Sequence, residues 1–493
     1  MNKKITAIIF FIGAIHTQSI ICMESNTRAM QIRKPLCFTS HEFYHEVQKL
    51  IHHHTGTIAV NESEYATLLI GYMNKNNVEI VEFLIKHPPI NPNTIPAFYP
   101  NSGKSVLHHA VKKKNPYFVS LLLNNKNVDC NVLNGWGDTP LYAAIEKQDI
   151  ECVNLFVQNR KTNINKTGGF FFSPLHLSTY LENPQCTQLL LTRSDLKVNK
   201  KEIENFTPIF YAIQPTLANA ANDYTYSHAT TDHLEALLAH PSINVNCVNE
   251  WGFTPLLWSM ITHKIDCTKL LLKNDFTDIN KPGKFGNIPL ISAVLTDNTE
   301  IIDLFIDNPK TDINAQDSSG YTALMHAVNR KNSACVKKLL SKPHLKINTQ
   351  NELGETALYI AVTQPDNTEC IKLLLATPYH NLNVNLTHYY DETPLARATS
   401  YNEIEYVKLL LEDTRTNINV QYKDNGWTPL YSAMINNYIE LVKLFLLYNA
   451  DVTIQNIKGK TALDKAIKRN YVEIINILQK HLTNKTKKLQ CFY

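Results

Sequence analysis

The chain has 493 residues, 48 basic and 44 acidic side chains, a formal net charge of +4 and a hydrophobic fraction of 44%. Single hydrophobic cores stop growing at about 250–300 residues, so this length requires several domains or a repeat array. A charge this close to neutral argues against nucleic acid or an anionic membrane as the main partner, because both bind concentrated Lys and Arg. With only 15 glycines, a glycine-rich phosphate-binding loop is not expected.

Residues 1–22 have the pattern of a secretory signal peptide. Two lysines in MNKK precede the apolar run Ile5–Ile15, which is 11 residues long. A membrane-spanning helix needs about 20 apolar residues, so the run is too short for one, and no other run is long enough. We expect cleavage near Ser19 or Cys22 and a protein that is secreted, periplasmic or delivered to a host cell. A buried N-terminal helix is the alternative.

Residues 23–60 are predicted to form a helical cap region, in which Ser40–His54 is a helix ahead of the first repeat. Its last turn contains three consecutive histidines, His52, His53 and His54. Consecutive side chains on a helix point in different directions, and no second cluster accompanies them. We therefore expect no metal site and no cofactor.

Residues 61–482 contain a repeated motif, x-G-x-T-P-L followed by small apolar residues. It is clearest as GDTPLYAA from Gly137, GFTPLLWS from Gly252 and GWTPLYSA from Gly426. The Thr of the motif, or its replacement, stands at positions 67, 105, 139, 173, 207, 254, 288, 322, 356, 393, 428 and 461, and six of the eleven steps are 34 residues. This period indicates about twelve copies of one supersecondary unit.

Each unit is predicted to contain two helices and an extended loop. Thr139 is typical of a helix N-cap, and Pro140 suits the first helical position, where its missing N–H is not needed. Apolar residues recur at i, i+3 and i+4 in the second helix, as in residues 150–159. Neither helix can bury its apolar face alone, so neighbouring units must stack to make the core.

An asparagine recurs in the loop before the motif. Asn tolerates left-handed backbone conformations and can hydrogen-bond within its own loop, so we expect it to fix a repeated loop shape. It stands eight residues before the Thr position, or nine in the last case, at Asn131, Asn165, Asn199, Asn246, Asn280, Asn314, Asn348, Asn385 and Asn419.

These features resemble the ankyrin repeat family. The matching elements are G-x-T-P-L, the Leu run of the second helix (Leu270–Leu272) and the Ile-Asn loop (Ile313, Asn314). The histidine that follows Pro-Leu in the family occurs only at His108 and His176. The resemblance implies an all-α ankyrin repeat solenoid, and a non-catalytic scaffold that binds a protein through loop tips and first helices on its concave face.

Aromatic residues at the loop tips are the candidate partner contacts, because Trp and Tyr dominate binding hot spots. The alternative interpretation is that these residues pack between adjacent loops. Residues 214–231 hold 13 extra residues between two helices, and for them the alternative is a tolerated surface insertion. The candidates are Trp136, Phe170, Phe171, Phe172, Tyr224, Tyr226, Trp251, Phe253, Tyr321, Tyr389, Tyr390 and Trp427.

Cysteine recurs at the start of the second helix. Equivalent atoms in adjacent units are about 8–10 Å apart, beyond the roughly 7 Å between Cα atoms that a disulfide allows. We therefore expect small buried residues and a fold that does not depend on oxidation, which is compatible with a reducing destination such as another cell's cytosol. The column consists of Cys152, Cys186, Cys267, Cys335 and Cys370.

An enzyme is not expected. Outside the repeats and the signal peptide lie only residues 23–60 and a basic tail at 483–493, too few for a catalytic domain, and no P-loop, kinase or hydrolase signature is present.

We expect a monomer that binds a protein. Two roles stay open: an exported effector that binds a host protein, and a structural or self-assembling protein of the envelope or periplasm. The Asn-, Lys- and Ile-rich composition resembles repeat proteins of AT-rich intracellular bacteria, which favours the effector.

Overall fold

The structure is a computed structural model that describes residues 62–86, 103–169, 171–181, 183–202, 205–213, 231–377 and 381–490. The expected signal peptide (1–22), the cap region (23–60), Phe170, Tyr224 and Tyr226 lie outside these residues, as does the insertion apart from its last position. The chain divides after Trp251 into two compact units, which we describe separately as the first and second units.

The first unit contains five described helix pairs. From the second pair on, the first helix follows the Thr position, whereas Thr67 lies inside the first helix of the first pair. A short turn leads to the second helix in every pair but the last, whose helices lie on either side of residues 214–230. The pairs are α1 Glu62–Asn74 with α2 Val78–Lys86, α3 Val106–Lys112 with α4 Pro116–Asn124, α5 Pro140–Glu146 with α6 Ile150–Gln158, α7 Pro174–Tyr180 with α8 Pro184–Leu191, and α9 Pro208–Ile213 with α10 Asp232–Leu238.

The second unit contains seven described pairs, which brings the total to the predicted twelve. They are α11 Pro255–Ile261 with α12 Ile265–Lys273, α13 Pro289–Thr296 with α14 Thr299–Asp307, α15 Ala323–Asn329 with α16 Ser333–Leu340, α17 Ala357–Thr363 with α18 Thr368–Leu375, α19 Pro394–Ser400 with α20 Ile404–Glu412, α21 Pro429–Ile435 with α22 Ile439–Leu447, and α23 Ala462–Arg469 with α24 Val472–Gln490. The last helix continues past residue 482, the predicted end of the repeat array.

Stacking of neighbouring pairs makes the core of each unit. First helices contact the next first helix, as α5 contacts α7, and second helices contact the next second helix. Val153 and Phe156 on α6 are fully buried. A single pair has no other surface on which to bury such residues, so each pair depends on its neighbours.

The predicted N-caps are confirmed in nine of the twelve repeats. The hydroxyl of Thr139 accepts a hydrogen bond from the backbone N–H of Tyr142 at 3.1 Å, and Pro140 occupies the first turn of α5. The bond satisfies one of the backbone donors that a helix leaves free at its start. The same cap is made by Ser105, Ser173, Thr254, Thr322, Thr356, Thr393, Thr428 and Thr461.

The loop asparagines act differently from our expectation, because they bond the following repeat instead of their own loop. The Asn131 amide donates to the Lys161 carbonyl at 2.8 Å, and Asn131 Oδ1 accepts from the Asn163 N–H at 2.7 Å. Both bonds recur in the same form within the units. They are made by Asn165, Asn199, Asn280, Asn314, Asn348 and Asn385.

The two family-type histidines also join consecutive repeats. His108 Nε2 lies 3.0 Å from the carbonyl oxygen of Asp138, and His108 Nδ1 lies 2.9 Å from the hydroxyl of Ser105. His176 makes the equivalent contacts with Phe206 and Ser173. Burial, the largest cause, lowers the pKa of His108 and of His176 to about 4, so both are neutral links.

The five cysteines of the column are buried and free, as the helix spacing predicted. Burial raises the pKa of the Cys186, Cys267 and Cys370 thiols to about 11. Thiols with such pKa values stay protonated near neutral pH and are poor nucleophiles.

Within the described residues, no helix combines the length and apolar character needed to cross a membrane.

Candidate protein-binding surface

The loop before each first helix ends in a tight turn, which we call the tip. In the tip of the Thr139 repeat, the Asn134 N–H donates to the Asp138 carbonyl at 2.9 Å and the Gly137 N–H donates to the Asn134 carbonyl at 3.0 Å. Gly137 has a φ of +84°, a conformation that glycine adopts without steric cost. The turn holds the side chain before Gly137 out in solvent.

Four of the predicted aromatic residues are exposed at the tips. Trp136 and Phe171 are each 60% exposed, Tyr389 is 76% exposed and Tyr390 is 70% exposed. Large aromatic side chains rarely stand this free in water, because burying one removes 150–250 Å² of mostly apolar surface. These four are the predicted contact residues that the structure leaves most exposed.

Trp136 is paired with a lysine of the preceding repeat. Lys104 Nζ lies 4.6 Å from the centre of the Trp136 ring. This geometry is a cation–π contact, which covers one face of the ring and leaves the rest open. Burial is the main cause that lowers the pKa of the Lys104 ammonium. The pair therefore presents the open part of the Trp136 ring beside the positive charge of Lys104.

The glycines before the three phenylalanines allow two tips to approach each other. A Cβ on Gly169 would lie 1.6 Å from the Trp136 carbonyl oxygen, and the Gly169 N–H donates to Asp138 Oδ1 at 3.1 Å. Only glycine fits this contact. The following turn places Phe171 at a φ of +64°, with its N–H bonded to the Gly168 carbonyl at 2.9 Å.

Phe172 and Trp251 are half-buried in an aromatic cluster of the first unit. The Phe172 ring lies 6.0 Å from His176 and 5.1 Å from Tyr211, and Phe206 lies 5.0 Å from Trp251. Such edge and stacked contacts stabilise the fold by about 0.5–1.5 kcal/mol each. These two residues therefore contribute to packing between repeats, which was the alternative interpretation.

Phe253, Tyr321 and Trp427 are half-buried against their own first helices. Their ring centres lie 6.2 Å from Trp258, 5.2 Å from His326 and 5.2 Å from Tyr431, respectively. All three directly precede the Thr position, where a side chain points back along the helix that follows. They are therefore less exposed than the four residues above.

Tyr389 and Tyr390 form the most exposed aromatic pair of the second unit. Their rings are perpendicular with centres 5.3 Å apart, and the Tyr389 N–H donates to the Leu353 carbonyl of the preceding tip at 2.8 Å. Below them, His388 stacks on Tyr359 at 4.7 Å. The backbone bond and the stacked ring hold the pair in place.

Our list of aromatic residues missed three exposed apolar tip residues in the second unit. Phe285 and Ile457 are each 66% exposed and Leu353 is 56% exposed. They stand three or four residues before the Thr position, the same places that Trp136, Tyr389 and Tyr390 occupy. Aligning the repeats on that Thr, without restricting the search to Trp and Tyr, would have found them.

The most enzyme-like arrangement in the described residues is a buried hydrogen-bonded chain of a serine, a threonine and a histidine. Thr187 Oγ1 lies 2.9 Å from both Ser178 Oγ and His233 Nδ1. Ser178 and Thr187 are fully buried. A substrate could not reach these hydroxyls, so the role of these three hydrogen-bonded side chains is to link α7, α8 and α10.

The described residues contain no group of three or more His, Cys, Asp or Glu side chains arranged to hold a metal ion.

A comparison with protein-family models decides the family. The model for ankyrin repeats, described as three copies of the repeat, matches overlapping stretches that cover far more than half of the chain: residues 39–134, 68–168, 107–202, 217–317, 277–351, 296–386, 324–424 and 413–488. The chain is an ankyrin repeat protein. Ankyrin repeats form protein–protein interaction domains, so the tips and first helices are its candidate binding surface.

This ankyrin repeat protein is similar over shorter stretches to several known proteins. It is 36% identical over 107 residues to Ankyrin repeat and SOCS box protein 11 of Homo sapiens, which is 21% of this chain and 31% of that protein. It is 33% identical over 90 residues to Alpha-latrotoxin-Lg1a of Latrodectus geometricus, which is 18% of this chain and 7% of the toxin. The chain thus spans less than a third of the length of these relatives.

Among solved structures, the crystal structure of the ankyrin repeat domain of Bcl-3 aligns with 46% of this ankyrin repeat protein and 99% of that chain. The sequence identity is 26% and the TM-score is 0.42.

Proposed function

We propose that this protein is a non-catalytic scaffold that holds another protein against its tips and first helices. The supporting observation is the exposure of Trp136, Phe171, Tyr389 and Tyr390 on rigid turns. Preformed turns lose little entropy on binding, and exposed aromatic rings are the residue type that gains most from being covered. We expect the protein to be a monomer in the absence of its partner.

Cross-linking and pull-down with the full chain test this proposal. The variant W136A/Y389A/Y390A removes exposed rings, whereas F253A/W427A removes half-buried rings of the same row. We expect the first variant to lose captured protein and the second to retain most of it. Equal capture by the wild type and the first variant would exclude these tips as the binding surface.

Light scattering over a concentration series separates the scaffold from a self-assembling structural protein. A scaffold keeps the mass of one chain, 56.2 kDa, at all concentrations. A mass that rises with concentration supports the structural alternative.

We further propose that the protein is exported and binds a protein of another cell. The support is the basic segment and the 11-residue apolar run in residues 1–22. The absence of disulfides among the described cysteines is compatible with a reducing destination. N-terminal sequencing of the protein recovered outside the producing cell tests the proposal: we expect a new N-terminus near residue 20 or 23, and secretion that is lost when residues 2–22 are deleted.

A further inference from the structure

Six lysines lie close together on the first-helix face of the first unit. Three of them, Lys75, Lys113 and Lys147, stand eight residues after positions 67, 105 and 139 and therefore occupy the same place in three consecutive repeats. All three are exposed at the ends of α1, α3 and α5. Because adjacent first helices are in contact, these positions repeat at about 8–10 Å.

The other three lysines lie at the two ends of α3. Lys112 and Lys114 flank Lys113 and are exposed, and Lys104 lies under the Trp136 ring at the opposite end of α3. The seven residues of α3 separate its two ends by about 10 Å. We call these six residues, together with Trp136, the lysine patch.

Within the described residues, no carboxylate forms an ion pair with the lysine patch. Two carboxylates, those of Glu146 and Asp138, attract the Lys104 ammonium. Glu146 is exposed at the end of α5, whereas Asp138 is buried and accepts hydrogen bonds from Asn134 and the Gly169 N–H.

His109 lies at the centre of the patch and responds to the lysines. Burial and the charges of Lys112 and Lys104 lower its pKa to about 4. A half-buried neutral histidine surrounded by ammonium groups leaves a positive face that a negative ligand would stabilise.

We propose that the lysine patch binds an acidic segment of a partner protein, with Asp or Glu side chains against the lysine row and an apolar side chain against Trp136. The proposal rests on the scaffold function given above and specifies its partner chemistry. The patch contains lysines only, since residues 62–159 include no arginine. Lysine acts as a point charge that needs no paired geometry, so the carboxylates of Asp and Glu suit the patch.

The repeat spacing defines a probe. Three residues of an extended peptide span roughly 10 Å, which matches the distance between adjacent first helices. A labelled peptide of five Glu-Gly-Ser triplets therefore places one carboxylate on each lysine position. The control peptide has Gln in place of every Glu.

Fluorescence anisotropy with the full chain tests the proposal. We expect the Glu peptide to bind, and its affinity to fall with added salt and by about tenfold or more in K112E/K113E/K147E, because three favourable charge pairs become repulsive. The matched control K126E/K161E/K197E reverses three exposed lysines in the loops that follow second helices of the same unit, and we expect it to bind as the wild type does.

Three results would overturn the proposal. They are equal binding of the Glu and Gln peptides, equal loss in the two triple variants, and tighter binding of a single-stranded 15-mer DNA than of the Glu peptide. Failure here is distinguishable from failure of the scaffold function: if K112E/K113E/K147E still captures the cross-linked partner, only the acidic segment is wrong.

Discussion

The side-chain amide of Asn314 donates a hydrogen bond to the carbonyl oxygen of His344, 2.9 Å away in the following repeat. The same side chain accepts from the Lys346 N–H at 2.7 Å. One asparagine thus satisfies a backbone acceptor and a backbone donor of its neighbour.

Replacing Asn314 with Ala should lower the free energy of unfolding by about 1–2 kcal/mol, because two hydrogen bonds between repeats are lost. Urea denaturation followed by far-UV circular dichroism measures the change. The control is N329A, an exposed asparagine at the end of α15, which should change stability by less than about 0.5 kcal/mol. Equal effects would mean that the bonds between repeats contribute nothing.

Gly169 should not tolerate a larger residue. A Cβ there would lie 1.6 Å from the Trp136 carbonyl oxygen, so G169A must push two tips apart. We expect a loss of more than about 1 kcal/mol in the free energy of unfolding. Gly71 is the matched control, because a Cβ at that helical position meets nothing within 4 Å. G71A should be neutral or stabilising by up to about 1 kcal/mol, and thermal unfolding of both variants checks the contrast.

Stability should fall as the pH drops from 6.5 towards 4. The pKa of His108 and of His176 is about 4 in the folded protein and 6.5 ordinarily. Above pH 6.5 both histidines are neutral whether the chain is folded or unfolded, so they have no effect. Below it the unfolded chain takes up protons that the folded chain excludes, and the loss at pH 5 is about 2 kcal/mol per histidine.

The chain itself offers a control for this pH dependence. Tyr142, Tyr359 and Tyr431 stand at the corresponding place in other repeats and are buried there. H108Y/H176Y should therefore fold and should lose less stability than the wild type between pH 7 and pH 5. Denaturant titrations at the two pH values measure the difference, and identical pH profiles would refute the assignment.

The described cysteines should be inert in the folded protein. Burial raises the pKa of the Cys186 thiol to about 11 and of the Cys335 thiol to about 12. We expect no labelling of Cys152, Cys186, Cys267, Cys335 or Cys370 by a thiol reagent at pH 7 until denaturant is added, and no change in melting temperature with a reductant. Mass spectrometry of individual peptides reads each site. Rapid labelling of any of the five under native conditions would contradict the structure.

The helix pairs could be predicted from sequence because each depends on local chemistry. Thr139 and Pro140 favour a helix start through their own chemistry, and the fixed spacing repeats this signal along the chain. The role of Asn131 could not be predicted in the same way. Its amide is bonded to Lys161, 30 residues away, and only stacking of two repeats brings these residues together.

Exposure of the tips likewise depends on the neighbouring repeat. Trp136 and Trp251 stand at the same position, three residues before the Thr of their repeats. Lys104 covers one face of the first ring, whereas Phe206 packs against the second at 5.0 Å. The sequence predicted the same role for both tryptophans. The residue that each one contacts in the preceding repeat makes the difference in their exposure.

The loop asparagines hydrogen-bond to main-chain atoms of the next repeat and not to its side chains. A carbonyl and an N–H are present whatever residues surround them, so these two bonds can form between any two repeats of the same backbone shape. Duplication, deletion or reordering of repeats during evolution leaves this part of the junction intact, and only the buried side chains between the repeats must be matched again. The tip residues can therefore vary from repeat to repeat while the asparagine bonds between repeats stay constant.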